Sequence, residues 1–339
     1  MPQAVTTYRW DDAGAPQLTG RTPAEIIDVI YKCAVTGYGE KSPLGWTRPF
    51  YDAANQAAAF RNNVAAGGSG GYVKISSSNG GNGAGQLMIA QTCVSMSDID
   101  TPFRPGYSRS FYAQSGGAWV LIGTATGFYF FISNPAASMS LNNTYACTFF
   151  AGDMISLIPN DAGRFILAMG AIRTGSWTST PEYRDTLDSM NSSSPAFHAS
   201  TVLVYDSDGF DAAGGYQFWA PGLPSYGGSD VNFNAIPVNL KLLLPVVISM
   251  GSVNYISEAT LYQLFDRDGV LVSHSNNRPI MRGYLPGLFG STTYGWRQQS
   301  WPQITTVSGQ QYWLLRSSGY GPTSRMINME QWDDPNLSS

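Results

Sequence analysis

The chain has 339 residues, of which 43% are hydrophobic and 13% aromatic, which excludes disorder for most of its length and allows one large β domain or two domains. Charged residues make up only 12%, against the roughly 25% of an average globular protein, so Ser, Thr, Asn, Gln and Gly must cover much of the surface. The 19 basic residues are scattered singly among 23 acidic ones. This distribution argues against direct contact with nucleic acid, which needs a basic patch.

The N-terminal region predicts one helix, over residues 22–36. Thr22 and Glu25 form a capping-box pattern around Pro23, which suits the first helical position because its missing N–H would have no partner there. Apolar residues then recur at helical spacing, and Gly37 follows as a stop. The apolar stripe that we expect to pack against a sheet consists of Ile26, Ile27, Ile30, Cys33 and Ala34.

After this helix, short apolar or alternating runs separated by turn residues predict strands. Asp268-Gly269 lies between two of these runs and is a strong hairpin signal. Strands this short and frequent predict a mainly β fold, a β-sandwich or distorted barrel with one N-terminal helix and long loops. The runs are Tyr72–Ile75, Gln86–Ala90, Trp119–Ile122, Phe128–Ile132, Tyr145–Phe150, Phe165–Ile172, Thr201–Tyr205, Leu240–Met250, Thr260–Phe265, Val270–Ser273, Gln311–Arg316 and Met326–Met329.

Three stretches predict surface loops: residues 65–85 around a short strand, 174–199, and 220–237. Loops this long are usually functional or ordered by a neighbour. The stretch at 174–199 suggests a boundary between residues 1–180, a helix plus β domain, and residues 181–339, a second β domain or a continuation of the same sandwich. The N-terminus has no apolar signal segment, and no window is apolar enough for a membrane span.

Motifs for catalysis or metal binding are missing from the sequence. There is no HExxH, no Gly-x-Ser-x-Gly and no phosphate-binding loop. His198 and His274 are the only histidines, and both lie in small polar surroundings that are typical of loops. We therefore expect no catalytic residue, no metal and no cofactor, although carboxylate pairs for glycoside hydrolysis cannot be recognised from sequence.

Two other groups of residues have ordinary structural interpretations. Cys33, Cys93 and Cys147 are odd in number and far apart, so the sequence predicts three buried thiols rather than a zinc or redox site. Three acids in a Gly-containing stretch resemble part of a calcium loop, but a turn is the favoured reading because the glycine comes too early and the final Glu is absent. These acids are Asp206, Asp208 and Asp211.

Trp296, Arg297 and Trp301 lie in a polar, turn-rich stretch, YGWRQQSWPQ. Trp and Arg often dominate the energy of protein interfaces, so these three are candidate anchors at a subunit interface. Exposed, coplanar rings near Tyr294, Trp296 and Trp301 would instead indicate a sugar-binding platform. Packing in the core is the third possibility.

The N-terminal pattern resembles a family of virion proteins encoded in the structural modules of tailed phages. It consists of Asp12-Ala13-Gly14-Ala15-Pro16, the helix, Gly37-Tyr38-Gly39, and Gly45-Trp46-Thr47 with Pro49-Phe50. The stretches Ser95–Asp100 and Arg278–Leu288 fit the same resemblance. It implies a particle component and brings no catalytic residues with it.

The leading expectation is therefore a structural subunit of a tailed phage particle, in the neck or collar, the tail or baseplate, or as capsid decoration. Its expected partners are other phage structural proteins and copies of itself, with a host glycan as a further possibility and no nucleic acid. It would be synthesised in the host cytoplasm and assembled there into the virion. The alternatives are a carbohydrate-binding receptor module of the particle and a polysaccharide-degrading enzyme.

Overall fold

The computed structural model describes residues 2–111, 117–133, 147–169, 201–207, 212–219, 243–249, 281–291, 303–315, 324–333 and 335. In this part of the chain the fold is mainly β, with sheets packed on one another and one α-helix, as the sequence predicted. No helix of the described part is long and apolar enough to cross a membrane.

Helix α1 spans Pro23–Tyr31 and begins at the predicted capping box. The backbone N–H of Glu25 donates to the Thr22 hydroxyl at 3.4 Å, and the Glu25 carboxylate accepts from the Thr22 backbone N–H at 3.0 Å. Residues Lys32–Thr36 continue as a π-helical turn, which the sequence did not predict. Gly37 then ends the helical segment with a φ of 77°, in the left-handed region that favours glycine.

The predicted apolar stripe of this helix is confirmed. Ile26, Ile27 and Ile30 are no more than 2% exposed. They pack in one core with side chains of two sheets, and Cys33 and Ala34 of the π-helical turn lie in the same core.

Twenty-one strands follow one another in the described part of the chain. They are β1 (Gln3–Ala4), β2 (Thr6–Arg9), β3 (Thr47–Asp52), β4 (Ala57–Arg61), β5 (Tyr72–Ser77), β6 (Met88–Met96), β7 (Pro102–Pro105), β8 (Arg109–Phe111), β9 (Ala118–Gly123), β10 (Gly127–Ser133), β11 (Cys147–Asp153), β12 (Ile155–Ser156), β13 (Phe165–Ala168), β14 (Thr201–Tyr205), β15 (Ala212–Trp219), β16 (Leu243–Ser249), β17 (Met281–Ser291), β18 (Gln303–Val307), β19 (Gln310–Leu315), β20 (Ser324–Asn328) and β21 (Gln331–Trp332).

The middle layer is a five-stranded antiparallel sheet in the order β13-β11-β10-β9-β2. Its side chains alternate between two separate cores: Phe130 points into one and Tyr129 into the other. Both faces of the sheet are therefore buried. This explains why its strands read as continuous apolar runs instead of alternating ones.

Two outer layers cover the middle sheet. Helix α1 and a six-stranded sheet, in the order β3-β4-β5-β6-β7 with β8 beside β6, lie on one face. An eight-stranded sheet lies on the other, in the order β14-β15-β16-β17-β20-β19-β18 with β12 beside β17. The short pair β1 and β21 joins the two ends of the chain, with Gln3 opposite Trp332.

All predicted strands that fall in the described part overlap observed ones, but other strands were missed. Strand β4 is rich in alanine, which strands disfavour, and β17 contains Pro286 and three glycines. Gly283 fits β17 because a Cβ there would lie 2.1 Å from the carbonyl oxygen of Ile155 in β12. At this position the close approach of β12 therefore requires a residue without a side chain.

Several predictions lie outside the described residues. They are the hairpin around Asp268-Gly269 with its strands Thr260–Phe265 and Val270–Ser273, and the loops at 174–199 and 220–237. The division between residues 1–180 and 181–339 stays a prediction, because residues 170–200 lie outside as well. The loop at 65–85 is confirmed as a connection around β5.

Candidate functional site

The residues of the N-terminal pattern come together between the first helix and the middle sheet. The Tyr38 hydroxyl donates to Asp12 Oδ2 at 2.9 Å, and burial raises the pKa of Tyr38. Gly39 passes so close to the preceding turn that a Cβ on it would lie 2.4 Å from the carbonyl oxygen of Ala13. Packing at this junction therefore explains why the pattern contains Asp12, Tyr38 and Gly39.

Tryptophans complete this junction. The indole N–H of Trp46 donates to the Thr124 carbonyl at 3.1 Å, and that of Trp119 donates to the Pro16 carbonyl at 2.9 Å. Both indoles are at most 2% exposed. Tyr38 and Trp46 of the N-terminal pattern therefore serve the internal packing of the fold, whereas Thr47 and Pro49 of the same pattern are exposed.

A buried network of charged side chains crosses the three layers. Asp161, between β12 and β13, accepts hydrogen bonds from Arg282 of β17 at 2.7 and 2.6 Å and from the Ser156 hydroxyl at 2.6 Å. Arg282 also donates to the carbonyl oxygen of Tyr205 at 2.9 Å. Asp161 and Arg282 are at most 1% exposed, so this ion pair joins the segment between β12 and β13 to β17 of the eight-stranded sheet inside the protein.

Asp153, at the end of β11, is the second buried carboxylate of the network. It accepts hydrogen bonds from the Asn62 amide at 3.0 Å and from the backbone N–H of Ser69 at 2.8 Å, and Arg164 Nε lies 3.4 Å away. Burial raises the pKa of Asp153 despite the opposing effect of Arg164. Arg164 also reaches the carbonyl oxygen of Gly67 at 3.0 Å, which ties the middle layer to the first.

Neither carboxylate is arranged for chemistry on a substrate. Asp153 and Asp161 have solvent exposures of 0% and 1%, and protein donors occupy their oxygens. Groups sealed in this way act on stability and on the relative position of the layers.

The surface carries a different kind of feature, an arginine held by aromatic rings. The guanidinium carbon of Arg48 lies 3.7 Å from the ring centre of Tyr31, at the end of α1, and 4.2 Å from that of Tyr51 in β3. We call these three residues the tyrosine–arginine clamp. Tyr51 is 48% exposed, and Arg48 is half-buried. Arg48 has no hydrogen-bonding or ionic partner among the described residues.

Among the described residues, strand β3 pairs only with β4, so it places the clamp at an edge of the six-stranded sheet. The pairing register shifts between Thr47 and Phe50, next to Arg48. The nearby carboxylate of Asp52 is already occupied by the backbone of Ala54 and by Asn55, whose side-chain hydrogen bond lowers the pKa of Asp52.

Further arginine–aromatic pairs lie on the same six-stranded sheet and on the turn that follows β7. Arg104 lies 4.5 Å from the ring centre of Phe103, and Arg109 lies 5.1 Å from that of Tyr107. Phe103 and Tyr107 are 52% and 39% exposed. Exposed rings next to arginines are the residue types that dominate the energy of protein interfaces.

The face of this sheet that lies away from the helix also carries a small buried apolar cluster. Phe50 stacks on Tyr72 with ring centres 6.2 Å apart, and Arg61 lies 5.6 Å from the Tyr72 ring. Cys93 lies in the same cluster, and burial raises its pKa to about 12. The Cys93 thiol therefore stays protonated at neutral pH.

Most of the site residues proposed from the sequence lie outside the described part of the chain. Trp296, Arg297 and Trp301, the candidate interface anchors, lie outside the described residues, as do Tyr294, both histidines, Asp208 and Asp211. Asp206 is buried after β14, and the described part contains no group of three potential metal ligands.

Two predictions about cysteines are confirmed, because Cys33 and Cys93 are buried and free. Burial also raises the pKa of Cys33 well above its usual value. The sequence did not predict the clamp, because Arg48 lies between Thr47 and Pro49 at the one position that the N-terminal pattern leaves unspecified. An arginine followed directly by Pro49 and the aromatic pair Phe50-Tyr51 was the available signal.

Comparison with known proteins identifies no family for this chain. No family model matches the chain, and no curated protein is significantly similar to it.

Proposed function

We propose that this protein is a structural subunit of a tailed phage particle and acts through protein–protein interfaces. The observation that carries the proposal is the set of exposed aromatic rings beside arginines on the six-stranded sheet, with the tyrosine–arginine clamp at its edge. The N-terminal pattern supplies the phage context. The proposed subunit belongs to the neck or collar, to the tail or baseplate, or to the capsid decoration.

The architecture suits such a role. The middle sheet is buried on both faces, and a buried network of charged side chains connects all three layers. The two outer sheets are therefore held in fixed positions on the core. The weakly charged surface agrees with long-term contact between subunits, because the cores of protein interfaces are depleted in charged residues.

A carbohydrate-binding receptor module is the second candidate function, and it is supported by the exposure of Tyr51, Phe103 and Tyr107. An arginine, however, lies over each of these rings. A guanidinium on the ring reduces the flat aromatic surface on which a sugar could stack. This arrangement favours contacts with acidic or polar protein groups over a glycan platform.

The test is to delete the gene from the phage, supply a tagged copy from a plasmid and examine purified particles. We expect the tagged chain in the virions by mass spectrometry, at several copies per particle, and incomplete or unstable particles without it. Absence of the chain from purified virions, together with normal assembly and infection by the deletion phage, would contradict the proposal. Binding of the purified chain to host surface glycans, with loss of adsorption alone, would favour the receptor module.

A further inference from the structure

We propose that strand β18 of one chain pairs edge to edge with β18 of a second copy, so that the two eight-stranded sheets continue into one another. Strand β18 (Gln303–Val307) is the last strand in the order of its sheet and pairs only with β19 among the described residues. This surface is distinct from the aromatic and arginine residues of the six-stranded sheet. The inference therefore goes beyond the proposed function.

The outer edge of β18 presents open backbone groups. The turn between β18 and β19 consists of Ser308 and Gly309, whose φ angles of 51° and 82° are those of a type I′ hairpin turn. The residue pair that closes such a turn is hydrogen-bonded, and hydrogen-bonded pairs then alternate with open ones. The N–H and C=O groups of Ile304 and Thr306 therefore point away from β19. They have no hydrogen-bonding partner among the described residues.

The other edges of the described sheets are protected against an incoming strand, each in its own way. Strand β3 contains Pro49 and a register shift, and β7 begins and ends with Pro102 and Pro105. Strand β14 has a register shift, all of β13 is buried, and the Lys41 ammonium donates to the carbonyl oxygen of Thr7 in β2. The remaining strands at an edge, β1, β8, β12 and β21, are two or three residues long.

Strand β18 carries none of these protections. Its sequence, QITTV, contains no charge and no proline, and it pairs with β19 without a register shift. Ile304 is 48% exposed, although Trp313, which lies opposite it on β19, is buried in the core. The strand thus projects beyond the part of the sheet that the middle layer covers. An exposed and uncharged edge of this kind is a template for a further strand.

The strand is complementary to itself in one antiparallel register. With a two-fold axis at Thr305, Ile304 of each copy lies opposite Thr306 of the other, and both pairs exchange their outward backbone hydrogen bonds. An axis at Ile304 would instead place Thr306 opposite Pro302, which has no N–H. An axis at Thr306 would place Ile304 opposite Ser308 of the turn. The axis at Thr305 is therefore the one that satisfies the open groups of both residues.

The side chains agree with this register. It places Ile304 beside Thr306 and Thr305 beside its own copy, and β-branched pairs of this kind favour strand pairing. Identical strands repel one another when a charged residue faces its own copy, and QITTV contains no such residue. The occupant that the strand itself specifies is a second copy of β18, related to the first by a two-fold axis.

Thr305→Cys tests the register. In the proposed pairing this residue faces its own copy with Cα atoms about 4.5 Å apart, inside the range of about 4.4–6.8 Å that a disulfide spans. We expect a dimer of the purified full chain under mild oxidation, and its reversal by a reducing agent. Thr306→Cys is the matched control, because its copies would lie about 7–8 Å apart, too far for a disulfide. The natural chain, oxidised in parallel, measures cross-links through its own cysteines.

Sedimentation velocity over a series of concentrations measures the dissociation constant of the dimer. Thr306→Lys places a charge on the edge and should raise this constant by about tenfold or more. The matched control is Gln311→Lys, which adds the same charge at the exposed position opposite Thr306 on β19 and should change the constant by less than about twofold.

Thr306→Pro is a second variant that removes the outward N–H itself. Strand β18 does not use this N–H in its pairing with β19, and edge strands tolerate proline on their solvent side. Because each copy loses a hydrogen bond to the other, the dissociation constant should again rise by about tenfold or more. Thermal unfolding checks that every variant keeps the fold.

Four results would overturn the inference. The natural chain could remain monomeric at every concentration, Thr306→Cys could cross-link as readily as Thr305→Cys, or Thr306→Lys and Gln311→Lys could weaken association equally. In virions, Thr305→Cys could cross-link to a different particle protein, which would assign the edge to that protein.

The strand pairing and the proposed function fail separately. Virions that contain the chain, although the purified chain stays monomeric, would refute the pairing and leave the proposed function intact. A dimer through β18, formed by a chain that is absent from virions, would refute the proposed function and leave the pairing intact.

Discussion

Arg282 donates to both oxygens of Asp161 inside the protein, from Nε at 2.7 Å and from Nη2 at 2.6 Å, although 121 residues separate the two in the chain. The pair lies beneath the eight-stranded sheet and is completed by the Ser156 hydroxyl and the carbonyl oxygen of Tyr205. Arg282 therefore joins Asp161 and Tyr205, which both lie in segments far from it in the chain. Breaking the pair should therefore destabilise the packing of the eight-stranded sheet.

Arg282→Met should lower the free energy of unfolding by about 3–5 kcal/mol, because it leaves the Asp161 carboxylate buried without its opposite charge. Urea denaturation of the full chain measures the change. The control is Arg9→Met, which removes an arginine from the partly exposed pair with Asp11 and should cost no more than about 1 kcal/mol. Similar losses in the two variants would contradict a special role for the buried pair.

Ile30→Ala should cost about 2–5 kcal/mol, because Ile30 is 0% exposed and its removal opens a cavity between α1 and the sheets. Thermal and urea unfolding check this value. Leu157→Ala is the matched control, since Leu157 is 50% exposed and should change stability by less than about 0.5 kcal/mol. If both variants lose the same stability, α1 is not packed as described.

The contrast between this helix and the charged network shows what the sequence can reveal. The capping box and the stripe of Ile26, Ile27 and Ile30 are local patterns, so the helix was predicted almost to the residue. Only its π-helical end was missed, because local spacing does not distinguish a π-helical turn from an α-helical one.

Long-range features were beyond the sequence. The apolar runs of β9, β10 and β11 indicated strands, but their burial on both faces depends on a third layer that no single segment specifies. The contact of Arg48 with Tyr31 and Tyr51 joins a helix end to a sheet edge, and the pairing of Asp161 with Arg282 spans more than a hundred residues. Such contacts form only when the strands take their order in the sheets. That order depends on the free energy of the whole fold and not on any single segment.

Gly39→Ala should destabilise the protein more than the same change at Gly309. Both glycines have positive φ angles, 52° and 82°, so each substitution carries a backbone cost of about 1–2 kcal/mol. A Cβ at Gly39 would also lie 2.4 Å from the carbonyl oxygen of Ala13, whereas a Cβ at Gly309 would have no neighbour within 4 Å among the described contacts. The difference between their unfolding free energies isolates the contact between the DAGAP turn and the GYG segment. Equal losses would show that this close approach contributes nothing.

The pH dependence of stability should contain a contribution from Asp153 with an unusual sign. Burial raises the pKa of Asp153 above its usual value of 3.8, so the folded state binds this proton more readily than the unfolded state does. The slope of stability with pH follows the difference in protons bound, and here that difference makes the Asp153 contribution fall as pH rises through the raised pKa. Conversely, acidification from above the raised pKa towards 3.8 should add stability through this one group.

Comparison with Asp153→Asn isolates this contribution, because the amide has nearly the same shape and does not titrate. The variant should be less stable at neutral pH, since its amide nitrogen would face the donors of Asn62, Ser69 and Arg164. The stability of the natural chain relative to the variant should then increase further as pH falls through the raised pKa. Urea denaturation of both chains at several pH values between neutrality and 4 measures this difference. A relative stability that decreases on acidification would mean that Arg164 and the hydrogen bonds outweigh burial, and that the pKa of Asp153 is lowered instead.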